Sequence, residues 1–92
     1  MSDLAYFEYA LVLPEERYLV EVQARNPATA EVRGHDELES IAKEVLVAVI
    51  GQGRPDFVKE LKPTAIGEVD AQRLTKVQQL LTRPDCTVFL VE

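Results

Sequence analysis

Tryptophan is absent from this 92-residue chain, and cysteine, histidine and methionine occur once each. A lone Cys86 excludes an internal disulfide and any paired-cysteine metal or redox site. With His35 as the single imidazole, neither a His-rich metal centre nor a histidine base beside a second histidine can be assembled. No run approaches the ~20 apolar residues that span a bilayer, and the first residues lack the basic-then-apolar pattern of a signal peptide. The expectation is a cytoplasmic protein with no membrane association. The four glycines, at 34, 51, 53 and 67, match neither a dinucleotide fingerprint nor a P-loop. No cofactor and no metal are therefore expected.

What is present is an ordinary globular composition, 47% hydrophobic and 28% charged, without repeats or low-complexity tracts. It predicts one domain over residues 1–92, long enough to bury a core but a marginal one. The net charge of −6 is carried by one half of the chain. Residues 1–50 hold ten acids against the bases Arg17, Arg25, Arg33 and Lys43, whereas residues 51–92 hold six of each sign. A lopsided field of this kind steers a basic partner and repels polyanions.

Residues 4–13 are rich in aromatic and aliphatic side chains. Residues 17–24 alternate, with Tyr18, Val20, Val22 and Ala24 on one side and Arg17, Glu21 and Gln23 on the other. Joined by Pro14-Glu15-Glu16, they predict an antiparallel hairpin with one wet face. Asn26-Pro27 breaks the second strand, and residues 29–33 are a candidate third short strand. Asp36 followed by Glu39 has the spacing of a helix cap, and Leu38, Ile41, Ala42, Val45 and Val49 continue at helical spacing to Gly51. The spacing predicts a helix over 36–50, with Val47 almost opposite its apolar stripe and Ile50 on the flank. That apolar surplus calls for a second layer or another chain. Residues 55–62 are compatible with a helical turn or an edge strand. Asp70 can cap a second helix over 70–82, with Leu74, Val77 and Leu81 inward and Arg83-Pro84-Asp85 as its stop. Residues 86–91 carry apolar side chains toward both faces, as a central strand does. The fold class is α+β: a small two-layer sandwich, with a largely antiparallel sheet of three to five strands and two helices.

Reactive chemistry is sparse. His35, Asp36 and Glu39 form the one group that resembles a metal set, with residues 35 and 39 on one side if the helix starts a residue early. Asp36, Glu37 and Glu39 more simply complement the positive end of the helix dipole. Cys86 in an apolar strand reads as a structural, inert thiol. Arg73, Lys76 and Arg83 are the sole candidates for phosphate contact, and three bases without interleaved aromatics on an acidic chain argue against nucleic acid. The chain is accordingly read as non-catalytic.

Arg17-Tyr18-Leu19-Val20-Glu21-Val22, then Ala30-Glu31-Val32-Arg33-Gly34 running into Asp36-Glu37-Leu38-Glu39-Ser40-Ile41, resembles the N-terminal domain of HicB-type antitoxins over about residues 17–50. The resemblance implies a small βββαβ domain that binds and masks a basic, RNA-cleaving HicA toxin. Two departures stand beside it: Pro14-Glu15-Glu16 and Asn26-Pro27-Ala28 occupy positions where the family has glycine-bearing turns, and no DNA-binding unit is evident after residue 63. The expected function is an acidic binding module that neutralises or regulates a basic partner protein, with Glu15, Glu16, Asp36, Glu37, Val47 and Ile50 as its interaction residues. A homodimeric accessory subunit of a larger assembly, or a phage-type inhibitor or immunity protein, is the alternative.

Overall fold

Alternation in the first two segments produces the hairpin that organises the molecule. In the computed structural model, which describes residues 6–26, 28–51, 62–69 and 77–91, β1 (Tyr6–Val12) and β2 (Arg17–Gln23) pair antiparallel from Tyr6 opposite Gln23 to Val12 opposite Arg17. The Leu13 amide donates to the Glu16 carbonyl at 2.8 Å and closes the turn. A helix, α1 (His35–Ile50), follows. Three further strands complete the sheet: β3 (Thr64–Val69), β4 (Gln78–Thr82) and β5 (Cys86–Val91). Their spatial order is β3-β1-β2-β5-β4, with every neighbouring pair antiparallel. As expected for a strand apolar on both faces, β5 lies inside the sheet.

Register assigns side chains to faces, because residues directly opposite each other in an antiparallel pair project the same way. One face carries Tyr9, Val20 and Val88 in a row, with Val22 and Cys86 on one side of it and Leu11 and Tyr18 on the other. α1 lies over this face, and its buried stripe of Leu38, Ala42, Val45, Leu46 and Ile50 joins those strand residues in one core. The leucine, valine and isoleucine side chains of the stripe each contribute about 1.5–3 kcal/mol when fully buried, so the helix is held by its stripe rather than by capping. Gly34 is the N-cap and supplies no side-chain hydrogen bond. The predicted Asp36 cap with Glu39 behind it is thereby corrected: the helix starts at His35, which moves Asp36 and Glu37 into its first turn.

Residues 29–33 form no third strand. A single bridge, Arg25 to Val32, replaces it. Asn26 organises this loop, its side-chain oxygen accepting from the amides of Ala28 at 2.8 Å and Thr29 at 3.3 Å. Such local bonds compete with a strand ladder. The predicted second helix is also corrected where it can be compared. Residues 78–82 form β4, joined to β5 by a tight turn at Pro84-Asp85 in which the Arg83 amide donates to the Cys86 carbonyl at 2.7 Å. Helical spacing of Val77 and Leu81 is overridden by pairing with a strong neighbouring strand, and Val77 is exposed instead of inward. Residues 70–76 of that helix, and residues 55–61 of the undecided segment, lie outside the described residues. Among the described residues there is one helix beside the five-stranded sheet.

Both sheet edges are irregular. β3 shifts register against β1 between Glu8 and Tyr9, near Gly67 at φ 150°, and β4 shifts against β5 between Gln79 and Leu81. Bulges of this kind twist an edge out of line and discourage strand addition from another molecule.

Candidate functional site

The face of the sheet turned away from α1 was expected to be wet, and at its centre it is closed. Glu8 on β1, Glu21 on β2 and Thr87 on β5 stand side by side in one row. Their exposures are 9%, 0% and 1%. Gln23 and Phe89, on the same face, are buried as well. Two carboxylates directly across a strand pair repel each other and are costly to desolvate. Glu8, Glu21 and Thr87 accordingly all engage in polar or electrostatic interactions, and Phe89 has a partner too. Toward the hairpin turn the same face opens: Ala10 and Leu19 are partly buried, and Val12 is 69% exposed beside Arg17 and Val91.

The acidic surface of α1 occupies the opposite side of the domain. Asp36, Glu37, Glu39 and Glu44 are exposed, and Lys43 is the one base on the helix. Arg33 anchors the approach to it. Its guanidinium donates to the Asp85 carboxylate at 3.2 Å and to the Gln23 carbonyl at 3.3 Å, and its backbone amide donates to the Ala24 carbonyl at 2.9 Å. Nε of Arg33 lies 3.5 Å from Glu37 as an ion pair and makes no hydrogen bond. Arg83 extends the network, reaching Asp85 at 3.6 Å and Glu44 at 3.7 Å. Arg83 thus bridges a β-turn to α1, and the proposed role at the end of a second helix is set aside. Glu37 and Glu44 are compensated by these arginines. Asp36 and Glu39 make no ion pair among the described residues and keep their charge facing solvent. Arg73 and Lys76, the other bases considered for phosphate contact, lie outside the described residues.

Of the six expected interaction residues, the structure brings Asp36 and Glu37 together at the start of α1 and places Glu15 and Glu16 on the β1–β2 turn, at the far end of the domain. Glu16 accepts a hydrogen bond from the Tyr18 hydroxyl. Val47 is partly buried against the core. Ile50 is corrected: it is a core residue, 6% exposed, because the stripe of α1 is centred on Ala42 and Leu46 and so turns residue 50 inward. What the sequence reading missed is the buried Glu8–Glu21–Thr87 row, whose one signal was that residues 86–91 are apolar toward both faces.

The chemistry available at these positions is limited. Burial first, and the Asp85 carboxylate next to it second, push the Cys86 thiol up to about 11, the behaviour of an inert buried thiol. Burial also raises the Tyr9 hydroxyl, and the Glu39 carboxylate adds to the effect. The rings of His35 and Phe7 meet nearly perpendicular, with centroids 5.3 Å apart. It precedes Glu39 by one turn, yet among the described residues no three His, Cys, Asp or Glu side chains converge as metal ligands. A depression of about 400 Å³ beside Glu39 is lined by Lys43, Lys62 and Pro63. Among the described residues no helix is long and apolar enough to cross a membrane. Comparison with protein-family models, with curated proteins and with solved structures found no match.

Proposed function

We propose that this chain is a non-catalytic, cytoplasmic binding module that recognises a basic surface on a partner protein and neutralises or regulates that partner, in the manner of an antitoxin. The observation that supports this reading is the solvated carboxylate surface of α1. Asp36 and Glu39 are free of intramolecular ion pairs among the described residues, and Glu37 and Glu44 flank them. Charges already exposed and fixed on a helix lose little ordering entropy when they meet a complementary surface, and they raise the encounter rate. Val47, one turn beyond Glu44 and partly buried, supplies an apolar margin to the same surface. The resemblance of residues 17–50 to HicB-type antitoxins points to the same class, and a phage-type inhibitor or immunity protein would rest on the same physics. Nucleic acid is disfavoured by the sign of this surface.

The test is purification of the tagged chain from its native cells at low salt, alongside an Asp36→Lys/Glu39→Lys variant, with co-eluting proteins identified by mass spectrometry. The expected result is a stoichiometric basic protein that the wild type retains, salt releases and the variant fails to hold. Exposed charges are screened beyond ~10 Å at 0.1 M salt, so the affinity measured with the purified partner should fall steeply with ionic strength. Absence of a stoichiometric partner, or one held equally by the variant and at high salt, would remove this reading. A homodimeric accessory subunit is the second reading, and it draws on a different surface.

A further inference from the structure

We infer that the hairpin end of the sheet face opposite α1 is a self-association surface that takes a second copy of this chain. The pairing register puts Val12, Arg17 and Val91 in one row across β1, β2 and β5, with Ala10 and Leu19 in the row behind. Val12 is 69% exposed, an unusual position for a valine at the end of an interior strand. The row borders a shallow depression of about 230 Å³ that continues onto Glu15 in the turn. Glu15 and Arg17 are both exposed, and neither makes an ion pair among the described residues.

The charge pattern selects the occupant. Among the described residues the apolar strip has one open acid, Glu15, and one open base, Arg17, while Glu16 at the same depression is partly buried and already accepts from the Tyr18 hydroxyl, so a partner surface of one sign would satisfy one open charge and oppose the other. Under a two-fold rotation it is its own complement: Arg17 of each copy meets Glu15 of the other, and the valines meet across the axis. The bulges in β3 and β4 leave the outer edges poorly shaped for strand addition, so face-to-face contact is the remaining way for the sheet to associate. Six residues are far fewer than the ~20–30 per side of a standard interface. The dimer is therefore weak and depends on concentration. It is independent of the acidic face of α1, so either contact can exist without the other.

Sedimentation equilibrium of the full chain, from about 10 μM to about 1 mM, spans the affinities such an interface reaches. The wild type should move from monomer to dimer across this range. Arg17→Glu or Glu15→Arg alone removes two symmetry-related pairs and creates two like-charge contacts, so each should weaken association at least about tenfold. The Glu15→Arg/Arg17→Glu double variant restores opposite signs across the axis and should return to within about threefold of wild type. Matched circular dichroism spectra and thermal melts confirm that the variants are folded. A wild type that stays monomeric throughout would overturn the inference. So would single reversals that leave association unchanged, or a double variant that associates no better than the singles.

Discussion

On one face of the sheet Tyr9, Val20, Val22 and Val88 lie under Leu38, Ala42, Val45 and Leu46 of α1, while on the other Glu8, Glu21, Gln23 and Thr87 are buried to nearly the same degree around Phe89. The first face is an ordinary apolar core, whose stabilisation scales with area removed from water. The second contains groups that gain nothing from burial unless they are bonded. Its polar row therefore specifies an arrangement more than it adds net stability. The second face also changes along its length. It is closed at the Glu21 row and open at the Val12–Arg17–Val91 row, so one pleated surface is interior at its centre and exposed at its end.

The contrast can be broken most severely at the large side chains. Phe89→Ala should cost about 3–5 kcal/mol and Leu46→Ala about 2–5 kcal/mol in urea unfolding. A cheap Phe89 substitution would mean that the second face is not closed. Next in size is Arg33→Ala, which leaves Asp85, 14% exposed in its side chain, without its closest cation. A loss of about 1–3 kcal/mol is expected in the same assay, with Arg33→Lys intermediate because an ammonium cannot reach Asp85 and the Gln23 carbonyl together.

Alkaline pH probes the first face. The Cys86 thiol ionises near 9 when unfolded and near 11 when folded. Between those values the unfolded chain releases a proton that the folded chain retains, so rising pH favours unfolding. Stability is expected to be level up to about pH 9, to fall toward pH 11, and to fall less in Cys86→Ala. An identical decline in that variant would assign the effect to other groups. Smallest of all should be Glu68→Gln on the exposed edge strand, within about 0.5 kcal/mol of wild type.

The hairpin and α1 were legible in the sequence because residues 17–24 alternate and Leu38 to Val49 repeat at helical spacing, and the interior place of residues 86–91 was legible because they are apolar toward both faces. The exposed acids Asp36 and Glu37 were legible from their position at the start of that helical spacing. Three features were not. Alternation in residues 17–23 marks which side chains share a face, but it does not distinguish a wet face from a buried polar one. Glu21 and Gln23 therefore read as solvated. Val77 and Leu81 fit a helix as well as they fit the residues flanking and forming β4, and the choice was made by pairing with β5, a contact that local spacing cannot encode. Ile50 was placed on the flank by a stripe centred near Leu38 and Val49. The stripe centred on Ala42 and Leu46 turns it into the core.

The two-faced sheet is tested most directly by thiol reactivity at two threonines that stand in one row of the second face, Thr82 on β4 and Thr87 on β5. Thr82 is exposed and Thr87 is 1% exposed. Threonine and cysteine are close in size, and the native Cys86 is itself buried. With a chromogenic disulfide reagent under native conditions, the account predicts no reaction in the wild type or in Thr87→Cys, and one rapidly modified thiol in Thr82→Cys. Equal rates at the two introduced thiols would show that the centre of this face is open to solvent, and would contradict the account.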